Sequence, residues 1–467
     1  MNPRQLWLIL GIATIVAVPS CGEELAEPTS IPVVEIGPRL RLRVSGNLEG
    51  YLMPCGCSAN QLGGLARRQF RNKLDGHRID LLLEGGNLIK QAGVLESSKL
   101  MTTLEILDQA GYQAIGLAGA DLDMAQEGYD LDLLLASFVP VVASDLLLAD
   151  GKPWLLGDDP VVHAYREVSF ENATVRVASL VMSLPEAEVA DQFSLLEPAT
   201  AWQLAMEGVA EETLRVLMVH ASADTIKQLD LSPAPDLLIG VNSDFVDPPL
   251  AANSVSGVPF VYSGTHGRFL LDLELTRTTT GSSLPRYTPI ALEGSVTDPS
   301  AMRDADALAV IQSHREFVKQ DQLREKLASV QTLPDGLRYV GAKSCADCHE
   351  DDSEKCADHL HSRAWQTLID AEREENWPVT FYPECISCHV VGYGFKSGFV
   401  SPEKTPGLLN VTCENCHGPG SKHVDSGADE QVPIPRPGVK DCITCHNSEH
   451  STNFDYTVYW PKIKHGK

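Results

Sequence analysis

The chain has 467 residues, enough for two or three domains, and its 43% hydrophobic and 21% charged content is that of a soluble globular protein. Its 37 basic and 63 acidic side chains give a net charge of −26, which argues against nucleic acid as a partner and against electrostatic docking on an anionic membrane.

Residues 1–21 read as an export signal. Arg4 supplies the positive end, Leu6 to Val18 an apolar stretch too short for an ordinary membrane span, and Val18-Pro19-Ser20-Cys21 resembles a bacterial lipobox. A lipid on Cys21 is the expected anchor, and a plain signal peptide cut near Cys21 is the alternative. Residues 22–38, rich in proline and glutamate, then form a tether. The expected location is the periplasm or the outer membrane, with membrane contact only through the lipid.

Residues 39–298 alternate short apolar runs with amphipathic ones. Strands are predicted at Leu40 to Val44, Asp80 to Leu83, Gln113 to Leu117, Val139 to Ala143, Val216 to Val219, Leu237 to Ile239 and Phe260 to Tyr262. Helices are predicted at Ser98 to Ala110, Leu131 to Phe138, Ala201 to Glu212 and Thr225 to Leu229, with a hairpin over Tyr165 to Val181 that turns near Glu171-Asn172-Ala173. This pattern predicts an α/β sandwich with mixed sheets. Gly63-Gly64-Leu65-Ala66-Arg67-Arg68 reads as a turn whose arginines meet an anion, cap a helix or face water. Cys55 and Cys57 are open to metal, to a strained pair or to no role.

The loops that follow these strands carry Ser45-Gly46-Asn47-Leu48-Glu49-Gly50, Glu84-Gly85-Gly86-Asn87, Gly119-Ala120-Asp121, Val219-His220 and Gly240-Val241-Asn242-Ser243-Asp244. That order resembles the 5′-nucleotidase branch of the calcineurin-like metallophosphatases. The resemblance implies a two-metal site built from Asp-x-His, Gly-Asp, Gly-Asn-His, a lone histidine and Gly-His-x-His. Only His220 fits. Asn47, Glu49, Asn87, Ala120, Asp121, Asn242 and Asp244 replace the other ligands, and neutral amides remove the charge that holds two divalent ions together. An inactive scaffold is therefore expected, with a lone hard cation on Glu49, Asp121 and Asp244 as an alternative.

Residues 299–336 are predicted as a helical linker, with a helix from Met302 to Ser329 that Leu333-Pro334-Asp335-Gly336 breaks. Beyond it stand four Cys-x-x-Cys-His pentads: Cys345 to His349, Cys385 to His389, Cys413 to His417 and Cys442 to His446. Two thiols three residues apart on one helical turn reach both vinyl groups of a porphyrin, and the next residue turns back beneath it as iron ligand. Four covalently bound haem c groups are thus predicted, on Cys345, Cys348, Cys385, Cys388, Cys413, Cys416, Cys442 and Cys445, with His349, His389, His417 and His446 proximal. All eight methionines lie at or before Met302, so a Met/His iron is excluded and low potentials follow. His361, His423 and His465 are the preferred sixth ligands, with His359 and His450 behind them. Cys356 is left as a free thiol or as a partner for Cys55 or Cys57.

Residues 337–467 resemble the cytochrome c-554 family through Tyr339-Val340-Gly341, His361-Ser362-Arg363-Ala364, Cys413 to His423 and Tyr459 to His465. The resemblance implies a mainly α and irregular multihaem fold with mostly bis-His irons, one of them five-coordinate in some members. So polar a segment is expected to use its haems as its core. The favoured function is electron transfer with redox partner proteins, either other c-type cytochromes or quinol-oxidising complexes, with the amino-terminal domain as docking scaffold. A multihaem reductase of a small nitrogen compound or oxyanion and a redox-linked metallophosphatase are the alternatives.

Overall fold

The computed structural model describes Glu35, Gly37 and residues 39–465 except 55–61, 124–130, 132–134, 136–138, 172, 186–190, 242–252, 280, 295–301, 376–377, 448–449 and 452. The expectations for Cys21, Cys55, Cys57, Asn242, Asp244 and most of Leu131 to Phe138 fall outside the described residues.

The main strands, numbered along the chain, are β1 (Leu40–Ser45), β2 (Leu81–Glu84), β3 (Ala114–Gly116), β4 (Val141–Val142), β5 (Arg166–Ser169), β6 (Thr174–Leu180), β7 (Leu214–Val219), β8 (Leu237–Gly240), β9 (Asn253–Val255), β10 (Val258–Tyr262), β11 (Phe269–Thr278) and β12 (Gly281–Ala291). They form two mixed six-stranded sheets, in the orders β12-β11-β1-β2-β3-β4 and β9-β10-β8-β7-β6-β5. Strand β1 runs parallel to β2 and antiparallel to β11, and β7 runs parallel to both β6 and β8.

The period-two pattern decides which face is dry. Leu40, Leu42 and Val44 of β1 face Val175 and Val177 of β6 and Val216 and Met218 of β7, so the two sheets share one apolar interior. Helix α1 (Leu65–Asp75) and helix α2 (Val94–Ala110) accompany the first sheet, and α2 puts Leu100, Leu104 and Leu107 against Ile115 and Val141. Helix α3 (Pro198–Ala205) covers the second sheet with Ala201, Trp202 and Ala205. The amino-terminal domain is therefore an α/β sandwich, as the sequence predicts. Strand β12 of the long β11–β12 hairpin carries little of the alternation that betrays a strand, because Gly281–Ala291 is half-buried or exposed throughout.

Two local expectations change. Arg67 and Arg68 neither cap α1 nor face water. Arg68 lies buried on α1 and ion-pairs with the equally buried Glu84 at 2.6 Å, with Ser45 Oγ also in reach. The linker is two helices, α4 (Ala305–Gln320) and α5 (Leu323–Lys326), parted at Gln322, whose φ of 55° ends the helical run. Neither helix hangs free. Ala307 and Ile311 of α4 pack on Leu48, Leu65 and Ile106, and Arg324 of α5 donates to the Thr380 carbonyl at 3.2 Å.

The carboxy-terminal domain is mainly short helices and irregular chain. It nonetheless builds a small apolar core of its own, in which Trp365 and Leu368 of helix α8 (Ala364–Glu375) meet Ile386, Val390, Val391, Phe399 and Leu408. Composition hides this cluster, because its members are scattered singly over more than forty residues rather than gathered in runs. No helix among the described residues is long and apolar enough to cross a membrane.

Candidate haem sites and the converted amino-terminal face

Each pentad sits on or runs out of a short helix: α6 (Ala342–Ala346), α9 (Pro383–Ile386), α10 (Cys413–His417) and α12 (Val439–Cys442). Helices α7 (Glu350–Asp358) and α11 (Ser421–Asp425) lie between them. The helical turn is closed by backbone bonds from His349 N to Cys345 O at 3.0 Å and from His446 N to Cys442 O at 2.9 Å. Gly341, at a φ of 82°, gives α6 its abrupt start, a conformation that a side chain disfavours.

The two spacer residues of the third pentad brace the first and the second. Glu414 is buried, and its carboxylate accepts from Val340 N, Gly341 N at 2.8 Å and Gly420 N at 2.8 Å. Asn415 donates to the Val390 carbonyl at 2.8 Å, beside the second pentad. Sequence reasoning passed over both, since nothing in a Cys-x-x-Cys-His spacing says what the spacers hold. The thiols of Cys345 and Cys413 share a hydrogen bond, as do those of Cys388 and Cys445, so attachment points of different pentads are neighbours. Burial pushes the Cys416 thiol up to about 11. No disulfide joins the described cysteines, Cys356 included.

The histidines come together in pairs from distant parts of the chain. Ring centroids are 6.3 Å apart for His349 and His423, 5.8 Å for His417 and His465, and 5.9 Å for His361 and His446. An imidazole binds a transition metal at about 2 Å, so two rings on opposite sides of one iron have centroids roughly 6 Å apart. The residues present therefore fit a bis-His haem at three places. His359 instead packs on His361 at 4.6 Å and accepts from its backbone N–H at Nδ1. His450 is held at the chain by a bond from its own N–H to Asn447. No second histidine ring faces His389 among the described residues.

The outward nitrogens are anchored, which fixes ring orientation and keeps Nε2 available. Nδ1 meets a backbone carbonyl in His389 (Ala364, 2.6 Å), His417 (Ile434, 2.9 Å) and His423 (Glu430, 2.6 Å). Burial lowers the pKa of His389, His417 and His446, and it brings His361 down to about 4, with His359 and His446 adding to the effect. Neutral imidazole is the form that ligates iron.

On the amino-terminal domain the loops after β1, β2, β3 and β7 do converge, but not as a metal cluster. Among the described residues no group of three or more His, Cys, Asp or Glu side chains is placed to hold a metal ion. Asp121 is spent on structure: its carboxylate accepts from the backbone of Asn87, Leu88, Ile89 and Ala118 at 2.6 to 3.1 Å. Burial raises its pKa to about 6 against the pull of those four donors. A cation on Asp121 would have to displace them, which disfavours the lone-cation alternative. Asn87 donates its amide to Asn47, and Glu49 meets His266 at 3.2 Å, with Tyr51 packed on the same imidazole at 4.4 Å. His266 went unnoticed in the sequence. Its signal is a histidine between glycines just after a strand, Gly264-Thr265-His266-Gly267. Asn47, Glu49, Asn87 and His266 all hold φ between 50° and 56°, a strained left-handed conformation gathered on one face.

Residues 344–418 match the family profile described as cytochrome c554 and c-prime. Cytochrome c-554 of Nitrosomonas europaea is 32% identical over 103 residues, which is 20% of this chain and 44% of that protein. The chain thus spans less than half the length of the curated relative it matches. Among solved structures, the NAD nucleotidase of Haemophilus influenzae is similar at a TM-score of 0.49, with 14% identity over 63% of this chain and 69% of that one. A 5′-nucleotidase precursor from Thermus thermophilus is similar at 0.47, with 15% identity over 79% and 73%. Residues 344–418 are thus similar to the cytochrome c554 and c-prime family, a likeness that implies covalently bound haem c in the carboxy-terminal domain.

Proposed function

We propose that this chain is an exported electron-transfer protein holding four haem c groups. It takes electrons singly from one redox partner and passes them to another, its partners being other c-type cytochromes or quinol-oxidising complexes. The observation that carries the reading is the set of three facing imidazole pairs at 5.8 to 6.3 Å, each joining a pentad histidine to one of His361, His423 and His465. Haem c, when bound, supplies reversible one-electron chemistry. The chain's own part is to present neutral Nε2 atoms, to lock the rings through Nδ1, and to hold the first three attachment turns together through Glu414 and Asn415. With no methionine available as a ligand, the potentials stay low. A lipid on Cys21 would tether the protein to the membrane, in the periplasm or at the outer membrane.

Mass spectrometry of the mature chain tests the count. Four haem additions are expected, and Cys348→Ala or Cys388→Ala should each disturb the haem on its own peptide. An unchanged haem complement in both variants would sink the assignment.

His389 favours a second reading. With no facing imidazole among the described residues, its iron would keep an open position that a small nitrogen compound or oxyanion can enter. A high-spin signal in the wild-type protein that changes on adding nitrite or hydroxylamine would support a reductase. The amino-terminal domain serves in both readings as a docking scaffold rather than as a hydrolase, because Asn47 and Asn87 bond each other and Asp121 is saturated by backbone donors. The full chain is expected to show no manganese-dependent hydrolysis of a nucleotide or an aryl phosphate. Turnover abolished by His220→Ala would overturn that.

A further inference from the structure

The joint between the two domains is charged, buried, and one residue away from a haem-attachment cysteine. Lys99 projects from α2 with only 5% of its side chain exposed, and its ammonium bonds Glu96 at 2.8 Å and Glu384 of α9. Glu384 immediately precedes Cys385. Around this group Val94 and Leu95 of α2, Val318 of α4 and Leu323 of α5 pack with Phe381, Tyr382 and Cys385, so the apolar contact runs unbroken from one domain into the other. Ser98, one residue before the lysine, binds His314 Nδ1 at 2.7 Å, and the His314 ring faces Tyr382 at 5.9 Å. Gly50, at a φ of 77°, lets the first converted loop close over Glu96, for a side chain there would come within 2.6 Å of its carboxylate.

A lysine so enclosed keeps its charge only because it is paired. Burial works against the ammonium, and the two carboxylates outweigh it and raise its pKa. The amino-terminal domain thus holds a fixed positive charge against the helix that carries Cys385.

We propose that Lys99 is a positioning residue for the haem on Cys385 and Cys388: it clamps the attachment helix through Glu384, and its charge holds that haem's reduction potential above the value the two carboxylates alone would set. The proposal rests on the reading that the second pentad binds haem, and it gives the amino-terminal domain a part in tuning the cytochrome beyond docking. The physical reason is that a charge buried in a low-dielectric joint is poorly screened, so it shifts the balance between an iron and its more positive oxidised form.

The test is a redox titration of the full-length haem-loaded protein, followed by electron paramagnetic resonance, on two variants of opposite sign. Lys99→Met leaves Glu96 and Glu384 uncompensated, and it should shift one haem about tenfold toward the oxidised form, roughly 59 mV lower, with the other three unmoved. Glu384→Gln should shift the same haem upward. A purely structural disturbance would move both variants in the same direction or spread over several haems, and either result overturns the proposal, as does an unmoved potential in both. If Lys99→Met does not assemble, Glu384→Gln decides alone, since its side chain is 54% exposed and tolerates the change. A rise then supports the proposal, and a fall or no change overturns it. Peptide mass spectrometry on the same samples separates the two levels: a mature chain without haem on the Cys385 to Cys388 peptide overturns the haem reading, and the proposal with it.

Discussion

Replacing His361, His423 or His465 with alanine is expected to convert one low-spin iron to high spin in each variant. Each of these rings stands opposite a different pentad histidine: His361 opposite His446, His423 opposite His349 and His465 opposite His417. Removing one leaves its iron with the proximal nitrogen alone. The replacement ligands that usually rescue such a site are missing, because the carboxy-terminal domain has no methionine. His359→Ala and His450→Ala should leave the spin count unchanged, since His359 engages its Nδ1 with the His361 backbone and the three facing pairs are completed by His361, His423 and His465. Integration of the paramagnetic resonance spectrum of the oxidised protein reads the outcome directly. Three fully low-spin variants would show that the distal ligands lie elsewhere and would move His359 and His450 to the front.

Acid should unfold the amino-terminal domain and its joint before the covalent haems are lost. Burial pushes His220 down to about 4 and His314 down to about 3, the latter with Lys99 and Arg315 adding repulsion, against 6.5 for each in an exposed chain. The unfolded chain therefore binds protons that the folded one refuses. The stability tied to each histidine is complete above pH 6.5 and is lost as the pH falls from there toward the folded value. Each shift corresponds to roughly 3 kcal/mol or somewhat more. Two of them approach the whole stability of an ordinary domain, about 5–15 kcal/mol. Hydrogen exchange measured from pH 7 down to pH 4.5 should show β7 and α4 losing protection together. His220→Gln and His314→Gln should each flatten that dependence, and protection factors that do not change with pH in the unaltered protein would contradict the assignment. His314 sits on α4 between Ser98 of α2 and Tyr382 of the carboxy-terminal domain, so the acid transition should loosen the docking of the two domains as well.

How far the sequence carried differs from one residue to the next, for a physical reason. The pentads are legible because haem attachment is covalent and local: two thiols and an imidazole within five residues do the work whatever surrounds them. Strand β1 is legible by its alternation, and β2, β7 and β8 by their apolar runs, because strands covered on both faces are buried at nearly every residue. The exclusion of methionine ligation needs only composition. Which distal histidine serves which iron is not local, since His361 meets His446 across 84 residues of intervening sequence and only the folded chain brings the two rings to 5.9 Å. The roles of Asp121, Arg68 and Lys99 are hidden for the same reason. A carboxylate in a loop reads as a metal ligand until four backbone N–H groups are seen to fill it, an arginine pair reads as an anion site until Glu84 is found beneath it, and a lysine in an amphipathic helix reads as solvated until a glutamate from the other domain closes over it. Spacing along the chain determines chemistry that a few neighbouring residues perform, whereas the burial and pairing of charge depend on contacts between segments far apart in sequence, and those the tertiary structure alone decided.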